Sequence, residues 1–251
     1  MTPAPFPVQQ IAERQWRDYQ AGTPGTWFAE PSPGMDLDVA YAVQDAVTRL
    51  RMRAGDGAVG YKVGCTGPGT VGQFGMRGPI RGRLFHSELR SSGTVIKSQA
   101  HTNLAIEGEM AVWIGPDGEP AELLPVIELH NFVFRGPTKT LVELVANNGL
   151  NAGVVLAPPP WPMPMPGVPF PALMTVRVSG AIIGEGSAWP QENGPQPSID
   201  WTRDHLASYN QALAPGSLVL VGTPLGLYPV QPGDIVTVAV DGKVAVECRV
   251  G

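Results

Sequence analysis

The stretch "LAIEGEMAVWI", residues 104–114, decides the fold, because it alternates like a buried β-strand and yet contains two glutamates. In a strand, side chains two residues apart lie on the same face, roughly 6.5–7 Å apart along the chain. Glu107 and Glu109 therefore share one face with two alanines and Trp113, which is not typical of a plain solvent face. The pattern predicts that these carboxylates lie at the rim of a sheet or converge on a positive charge. The other face is an ordinary core stripe of Leu104, Ile106, Met110, Val112 and Ile114.

Composition limits the class of protein. The 251 residues are enough for one large domain with a substantial core. A formal charge of −5 and a pI near 5.4 argue against a nucleic-acid partner or an anionic membrane, which require a basic surface. No apolar run reaches the roughly 18 residues of a membrane span, and the first residues lack the apolar core of a signal peptide. We therefore expect a cytoplasmic protein with no nucleic-acid or membrane partner.

The order of sequence patterns predicts an α+β, mostly β fold. Helical periodicity at residues 8–22 and 35–55 predicts two opening helices, with Asp36 as an N-cap. Later helices are expected at 140–149, with a capping box of Thr140 and Glu143, and at 199–213. We expect residues 1–56 to form a helical segment that packs on one β domain, residues 57–251. Strands are predicted at 58–65, 94–97, 104–114, 123–130, 173–178, 217–222 and 235–250, the last folded as a hairpin at Asp241-Gly242.

The proline-rich segment 158–171 is predicted to be an extended, polyproline-like loop. A surface crossing or a wall of an oligomer fits this composition better than a motif for a partner protein.

A third acid occurs in a similar context. "LLPVIELHNF" places Glu128 in an apolar strand, with His130 two residues later on the same face. Three carboxylates on strands are typical of a hard divalent cation, Mg²⁺ or Mn²⁺. The alternative is that acids simply alternate on an exposed sheet face.

One lysine favours the site over the exposed face. In "GAVGYKVGCTG", Lys62 shares its face with Gly60 and Gly64, so a ligand or another backbone can approach its ammonium group. The alternative is a surface lysine whose stem covers apolar residues. A later cluster, "GEGS", is expected to place Gly184, Gly186 and Ser187 in a turn that is able to offer backbone N–H groups to a carboxylate. The alternative is a simple hairpin exit.

With these motifs in order, the chain resembles the 2-keto-4-pentenoate hydratase and 4-oxalocrotonate decarboxylase family of the fumarylacetoacetate hydrolase superfamily. The resemblance covers nearly the whole chain. It implies a mixed β-roll or sandwich with N-terminal helices, a Mg²⁺ or Mn²⁺ ion and a 2-oxo or 2-hydroxy acid substrate. It matches Lys62 to the active-site lysine, Glu107, Glu109 and Glu128 to the metal ligands, and Gly186, Ser187 and Thr223 to substrate-binding positions. The motifs that carry it are "GYKVGCT", "LFHSE", "IEGEMAVWI", "PVIELHNF", "TLVELVANNGLNAGVVL", "GEGS" and "LVLVGTPLGLYPVQPGD".

Two departures from the family pattern bear on the reaction. The acid that precedes the "LF" pair in relatives is missing, and Ile80 and Arg81 stand there instead. The aspartate of the "VADN" stretch is Asn147 in this chain. Three histidines remain candidates for a substitute base: His86, His101 and His130.

The resemblance implies a hydratase, a metal-dependent lyase of aromatic-compound catabolism. It would add water to a 2-hydroxy-2,4-dienoate or 2-oxo-enoate through a metal-stabilised enolate, with Lys62 close to the 2-oxygen. Decarboxylation of a 2-oxo-enedioate and C–C hydrolysis of an acylpyruvate are the enzymatic alternatives. A third hypothesis is an inactive subunit that stabilises an active homologue. The apolar strands and the proline-rich segment, like the resemblance, predict a homo-oligomer.

Overall fold

A computed structural model of the chain describes residues 6–30, 34–66, 79–165 and 172–251. The two predicted N-terminal helices are present as α1 (Val8–Gln20) and α2 (Leu37–Arg53). Asp36 caps α2 as expected, because its side chain accepts a hydrogen bond of 2.8 Å from the Val39 N–H. The described residues contain no helix that has both the length and the apolarity to cross a membrane.

Among the described residues, the larger sheet has nine strands, numbered here in chain order. Its spatial order is β2 (Ile80–Phe85), β1 (Ala58–Gly64), β11 (Leu218–Leu220), β5 (Leu104–Ile114), β6 (Pro120–Asn131), β7 (Asn151–Leu156) and β3 (Leu89–Ser91). Off this path, β12 (Tyr228–Pro229) pairs with β5, and β8 (Met163–Pro164) pairs with β6.

The smaller sheet has five strands within the part of the chain that the structure describes. Their order is β10 (Ala181–Ser187), β9 (Leu173–Val178), β13 (Ile235–Val240), β14 (Lys243–Val250) and β4 (Val95–Ile96). The predicted hairpin is confirmed, because β13 and β14 pair in antiparallel fashion around Asp241 and Gly242, which both have positive φ.

The main core lies between the two sheets, and the predicted apolar stripe of β5 belongs to it. Gly108 faces this core at a point where the second sheet lies close to β5. A Cβ atom there would lie 2.5 Å from Val176 Cγ2 and 3.1 Å from Val238 Cγ2. The glycine between the two glutamates therefore allows the second sheet to pack on β5, while the carboxylates project from the opposite face.

Helix α3 (Leu141–Ala146) packs against α2, and its start differs in part from the prediction. Thr140 caps it by accepting a hydrogen bond from the Glu143 N–H. The reciprocal half of the predicted capping box is absent, because Glu143 accepts hydrogen bonds from the N–H groups of Arg135 and Gly136. This carboxylate therefore anchors the preceding loop.

Helix α4 (Gln196–Ser208) ends earlier than predicted, because Asn210 adopts a left-handed backbone conformation with φ of 56°. The predicted turn at Gly184–Ser187 is wrong. These residues belong to β10, and the turn lies before them at Ser179 and Gly180, which have φ of 50° and 88°. Gly184 is a glycine because the Tyr228 hydroxyl occupies the place of a Cβ atom.

The first helices pack against the rest of the chain through an apolar cluster that joins α1 and α2 to α3. The division into residues 1–56 and 57–251 stays a prediction. The proline-rich segment 158–171 lies partly outside the described residues, and its described part includes the short strand β8.

Candidate active site

The predicted site residues come from neighbouring strands. Strands β5 and β6 are antiparallel, and their register places Glu107 opposite Glu128 and Ala105 opposite His130. Lys62 is on β1, which β11 separates from β5. Because like charges directly opposite in a sheet destabilise it, the two glutamates require a compensating positive charge.

Part of that charge comes from Lys62. Its Nζ lies 2.8 Å from Glu128 Oε1, and both side chains are almost completely buried. His130 Nε2 lies 3.1 Å from Glu107 Oε2 and 3.3 Å from Glu128 Oε2, so the imidazole contacts both acids. Glu109 lies deeper and accepts a short hydrogen bond from the Gly222 N–H. The structure therefore brings all four predicted metal and catalytic residues into one cluster.

Glycines create the space that Lys62 occupies. A Cβ atom would lie 2.6 Å from Lys62 Cε at Gly149 and 2.9 Å from Lys62 Cγ at Gly82. Gly60 does not leave open space beside Lys62. It is a glycine because the Leu218 backbone of β11 approaches it too closely for a Cβ atom. Gly82 and Gly149 are far from Lys62 in sequence, and no local signal identified them.

Burial and charge shift the pKa values of the cluster in opposite directions. Burial raises the pKa of Glu109 well above its usual range, and Glu128 and Glu107 add to this effect. Burial alone would also raise the pKa of Glu128, but Lys62 and His130 lower it below its usual value. Burial alone would lower the pKa of Lys62, but the charge and hydrogen bond of Glu128, together with the charges of Glu107 and Glu109, raise it above its usual value.

The donor set fits a divalent cation. Glu107, Glu128 and His130 each offer one ligand atom, and these atoms lie within 4.8 Å of one another. With Glu109 ionised, three carboxylates face only one lysine, so the buried cluster carries excess negative charge, which is costly without a further cation. Carboxylate oxygens suit Mg²⁺ or Mn²⁺, and an imidazole nitrogen is tolerated better by Mn²⁺.

The cluster opens into a cavity of about 740 Å³, within the usual size range of ligand sites. Lys62, Glu107 and His130 line it, whereas Glu109 and Glu128 lie beneath its surface. The remaining wall is largely apolar and includes Phe132, Phe134, Leu144 and Leu225. The cavity therefore combines a charged end with an apolar wall.

Of the three predicted substrate-binding residues, one lines the cavity and two do not. Thr223 lines the cavity, and its Oγ1 accepts a hydrogen bond from the Leu225 N–H. Gly186 lies behind this wall, since a Cβ atom there would be 3.0 Å from Leu225 Cδ2. Ser187 exchanges hydrogen bonds with the Trp189 backbone. The substrate-binding roles of all three stay predictions.

The structure shows where the residues that depart from the family pattern lie, together with the three candidate histidines. Ile80 lines the cavity, and the buried Arg81 pairs with Asp45 of α2 at 2.9 Å. Of the three candidate histidines, His130 alone lines this cavity among the described residues. Asn147 and His101 line a second cavity.

Comparisons with known proteins find relatives that match most of the chain. No protein-family model matches the chain. It is 26% identical to the 2-keto-4-pentenoate hydratase 1 of Dechloromonas aromatica over 220 residues, 82% of this chain and 83% of the relative. It is 25% identical to the 4-oxalocrotonate decarboxylase of Pseudomonas sp. (strain CF600) over 233 residues, 86% of each protein.

The fold matches a solved structure of the 4-oxalocrotonate decarboxylase of Pseudomonas putida G7, complexed with magnesium and adipate. The TM-score is 0.87 and the identity 21%, and the match covers 97% of each chain. The predicted fold of the fumarylacetoacetate hydrolase type is thereby confirmed. The resemblance to the hydratase and decarboxylase family is also confirmed.

Proposed function

We propose that the chain is a lyase that adds water to a 2-hydroxy-2,4-dienoate and depends on Mg²⁺ or Mn²⁺. The observation that carries the proposal is the cluster of Glu107, Glu128 and His130 around one face of a cavity, with the Lys62 ammonium beside it. The curated relatives named as hydratases support the reaction class. The ordered motifs along the chain support it over nearly the whole length of the sequence.

The cation would be held by Glu107, Glu109 and Glu128, and His130 contacts two of these carboxylates through its Nε2. When bound, such an ion supplies a Lewis acid for the carboxylate and 2-oxygen of the substrate. Glu109 acts from below, where its hydrogen bond with Gly222 joins the ligand cluster to the segment that carries Thr223.

Lys62 would hold and move the proton at the 2-oxygen. Ketonisation of the dienol removes a proton from the 2-hydroxyl and adds one at C5, which leaves a conjugated 2-oxo-3-enoate. Water then adds its hydroxyl to C4 and a proton to C3. The Lys62 ammonium lies beside the cavity and stabilises negative charge that develops on the 2-oxygen. His130 is the base that would activate the water, because it is the candidate histidine at this cavity.

The apolar wall would bind the unsaturated carbon chain and limit the access of bulk water. Phe132, Phe134 and Leu225 form this part of the cavity. The role of Gly186 and Ser187 in holding the substrate carboxylate remains part of the proposal, together with the homo-oligomer and the cytoplasmic location.

The test is an ultraviolet assay of purified protein with 2-hydroxypenta-2,4-dienoate, with and without Mg²⁺ or Mn²⁺. We expect metal-dependent loss of the dienoate and formation of 4-hydroxy-2-oxopentanoate. Release of CO₂ from a 2-oxo-enedioate without hydration would identify a decarboxylase, and cleavage of an acylpyruvate alone would identify a hydrolase. Protein that neither binds metal nor turns over any of these compounds would favour the inactive-subunit alternative.

A further inference from the structure

Three consecutive residues after α3 have a left-handed backbone. Asn148, Gly149 and Leu150 have φ of 58°, 61° and 60°. Residues with a side chain adopt this conformation singly as a rule, because their Cβ atom then lies too close to the following carbonyl oxygen. Glycine is free of this restriction and asparagine tolerates it, but leucine is strained by it. Such a turn persists only where its surroundings hold it, and strained backbone is concentrated at functional sites.

The Asn148 side chain holds this left-handed turn, Asn148–Leu150, on strand β2. Its Oδ1 accepts a hydrogen bond of 2.6 Å from the Arg83 N–H, and its Nδ2 donates one of 2.8 Å to Arg83 O. Strand β2 is the last in the order of described strands, so one side of its backbone has no hydrogen-bonded strand. The amide therefore takes the place of a strand residue and pairs with both polar groups of Arg83.

The left-handed turn confines the side chain of Lys62. A Cβ atom on Gly149 would lie 2.6 Å from Lys62 Cε, so the turn passes close to the end of the lysine stem. Gly82 is opposite Lys62 in the register of β1 and β2, and a Cβ atom there would lie 2.8 Å from Asn148 O and 2.9 Å from Lys62 Cγ. The stem therefore lies beside both glycines, and its Nζ is 2.8 Å from Glu128 Oε1.

Asn148 itself lies outside the catalytic cavity. It lines the second cavity, of about 620 Å³, which lies between the N-terminal helices and the larger sheet. The described lining of the catalytic cavity includes Gly149 and Leu150 but not Asn148. An effect of Asn148 on the reaction must therefore pass through the left-handed turn to Lys62.

We propose that Asn148 is a positioning residue for the reaction. Its two hydrogen bonds fasten the left-handed turn to β2, and Gly149 in that turn fixes the Lys62 stem, so that the ammonium group lies beside Glu128, where the proposed function requires it. Without these bonds the strained turn relaxes, and the stem gains room. The catalytic part of this inference rests on the proposed lyase function, whereas the confinement of Lys62 is independent of the reaction.

Asn148→Gly removes both hydrogen bonds and leaves a residue that still adopts a left-handed backbone. We expect kcat for 2-hydroxypenta-2,4-dienoate with Mg²⁺ to fall about 10- to 100-fold, because displacing a reacting group by about 1 Å reduces the rate to this extent. KM should stay within about 3-fold of wild type, because the acids and the cavity wall are unchanged. Asn210→Gly is the matched control. Asn210 is also left-handed, with φ of 56°, but it is exposed after α4, so this variant should keep both constants.

The position of Lys62 is also measurable without turnover, by nuclear magnetic resonance of protein labelled with ¹³C at lysine Cε. The spectrum is simple, because the sequence has few lysines: Lys62, Lys97, Lys139 and Lys243. The last three are exposed, and replacing each with arginine assigns their signals. In Mg²⁺-bound wild type, the confined Lys62 stem should give two distinct Hε signals. In Asn148→Gly these should converge and shift toward the signals of the exposed lysines, whereas Asn210→Gly should match the wild type.

Asn148→Asp is the second variant, and it keeps the proposal testable if Asn148→Gly does not fold. It retains the acceptor for the Arg83 N–H and loses the donor to Arg83 O. We expect kcat to fall at least about 3-fold, with a shift of the Lys62 signals in the same direction.

Wild-type kcat in the folded Asn148 variants would overturn the proposal, and so would a loss of kcat with unchanged Lys62 signals. A wild type that does not turn over the dienoate, with Lys62 signals that change in Asn148→Gly, would have a different meaning. It would overturn the lyase function and the catalytic part of this inference, and it would support the confinement of Lys62.

Discussion

Lys62 determines the charge balance of the buried cluster. Its ammonium lies 2.8 Å from Glu128, and both side chains are about 97% buried. Removing one partner of a buried ion pair is strongly unfavourable, because the other charge stays in a medium of low polarity. A lysine held in this way has a role in stability as well as the proposed role in proton transfer.

The variant Lys62→Met should therefore lose turnover and also lower the free energy of unfolding of the metal-free protein by about 3–5 kcal/mol. Added Mn²⁺ should restore part of this loss, because a bound cation compensates the carboxylates. Guanidinium denaturation with and without Mn²⁺ measures both effects. Lys243→Met, at an exposed position of β14, is the control and should change stability by less than about 0.5 kcal/mol. Equal stabilities for the two variants would contradict this account.

Gly149 holds the Lys62 side chain in position through its lack of a Cβ atom. Gly149→Ala would place that atom 2.6 Å from Lys62 Cε, at a backbone φ of 61°. Displacing a reacting group by about 1 Å reduces rate up to about 100-fold, so we expect kcat to fall about 10- to 100-fold. Gly180→Ala is the control, because its φ is 88° and its Cβ atom would meet open space. If both variants retain wild-type kcat, Gly149 does not position the lysine.

At the scale of elements, β5 shows how one strand serves the core and the site together. Its apolar face packs on the second sheet through Gly108, and its other face presents Glu107 and Glu109. Gly108→Ala would overpack this contact, and we expect a loss of about 1–3 kcal/mol in the free energy of unfolding. Gly186→Ala on β10 is the comparison, because its Cβ atom would meet only the tip of Leu225. Urea denaturation of both variants tests the ranking, and a larger loss in Gly186→Ala would contradict it.

The packing of α4 on α2 introduces a dependence on pH. His205 stacks on Trp201 with ring centroids 4.7 Å apart and contacts Tyr41 and Tyr209. Burial, followed by the charge of Arg81, lowers the pKa of His205 to about 4, whereas the nearby Asp45 has the opposite effect.

Because the unfolded chain binds this proton more tightly, His205 should reduce stability as the pH falls from about 6.5 to about 4. His205→Phe removes the titrating group and should show a smaller decrease in Tm over this range. Thermal unfolding of both proteins between these pH values tests the difference. Parallel curves would contradict the assignment.

The sequence predicted those elements whose local pattern is strong, and β5, β9 and the β13–β14 hairpin are examples. Strand β2 was missed, because its two arginines break the apolar alternation: Arg81 is buried by pairing with Asp45, and Arg83 lies against the Tyr61 ring. Strand β10 was interpreted as a turn, because its glycines are explained only by contacts with Tyr228 and Leu225. Local patterns do not contain such long-range contacts.

At the scale of the whole molecule, the site depends on segments that are distant in sequence. Motifs identified the acids and Lys62, and the structure brings them together across β1, β5 and β6. The glycines around Lys62 and the second cavity could not be predicted, because they arise where the helical layer meets the larger sheet. A prediction of the site therefore requires the packing of both layers, in addition to the motifs of each strand.

The most direct test of the central claim, that the buried acids hold a divalent cation, is the titration of metal-free protein with Mn²⁺. Calorimetry and the electron paramagnetic resonance of free Mn²⁺ should both give a single site per chain. Glu107→Gln should weaken binding at least about 100-fold, whereas Glu122→Gln, exposed on β6, should bind like wild type. Absence of stoichiometric binding by the wild type, or equal affinity in Glu107→Gln, would contradict the account.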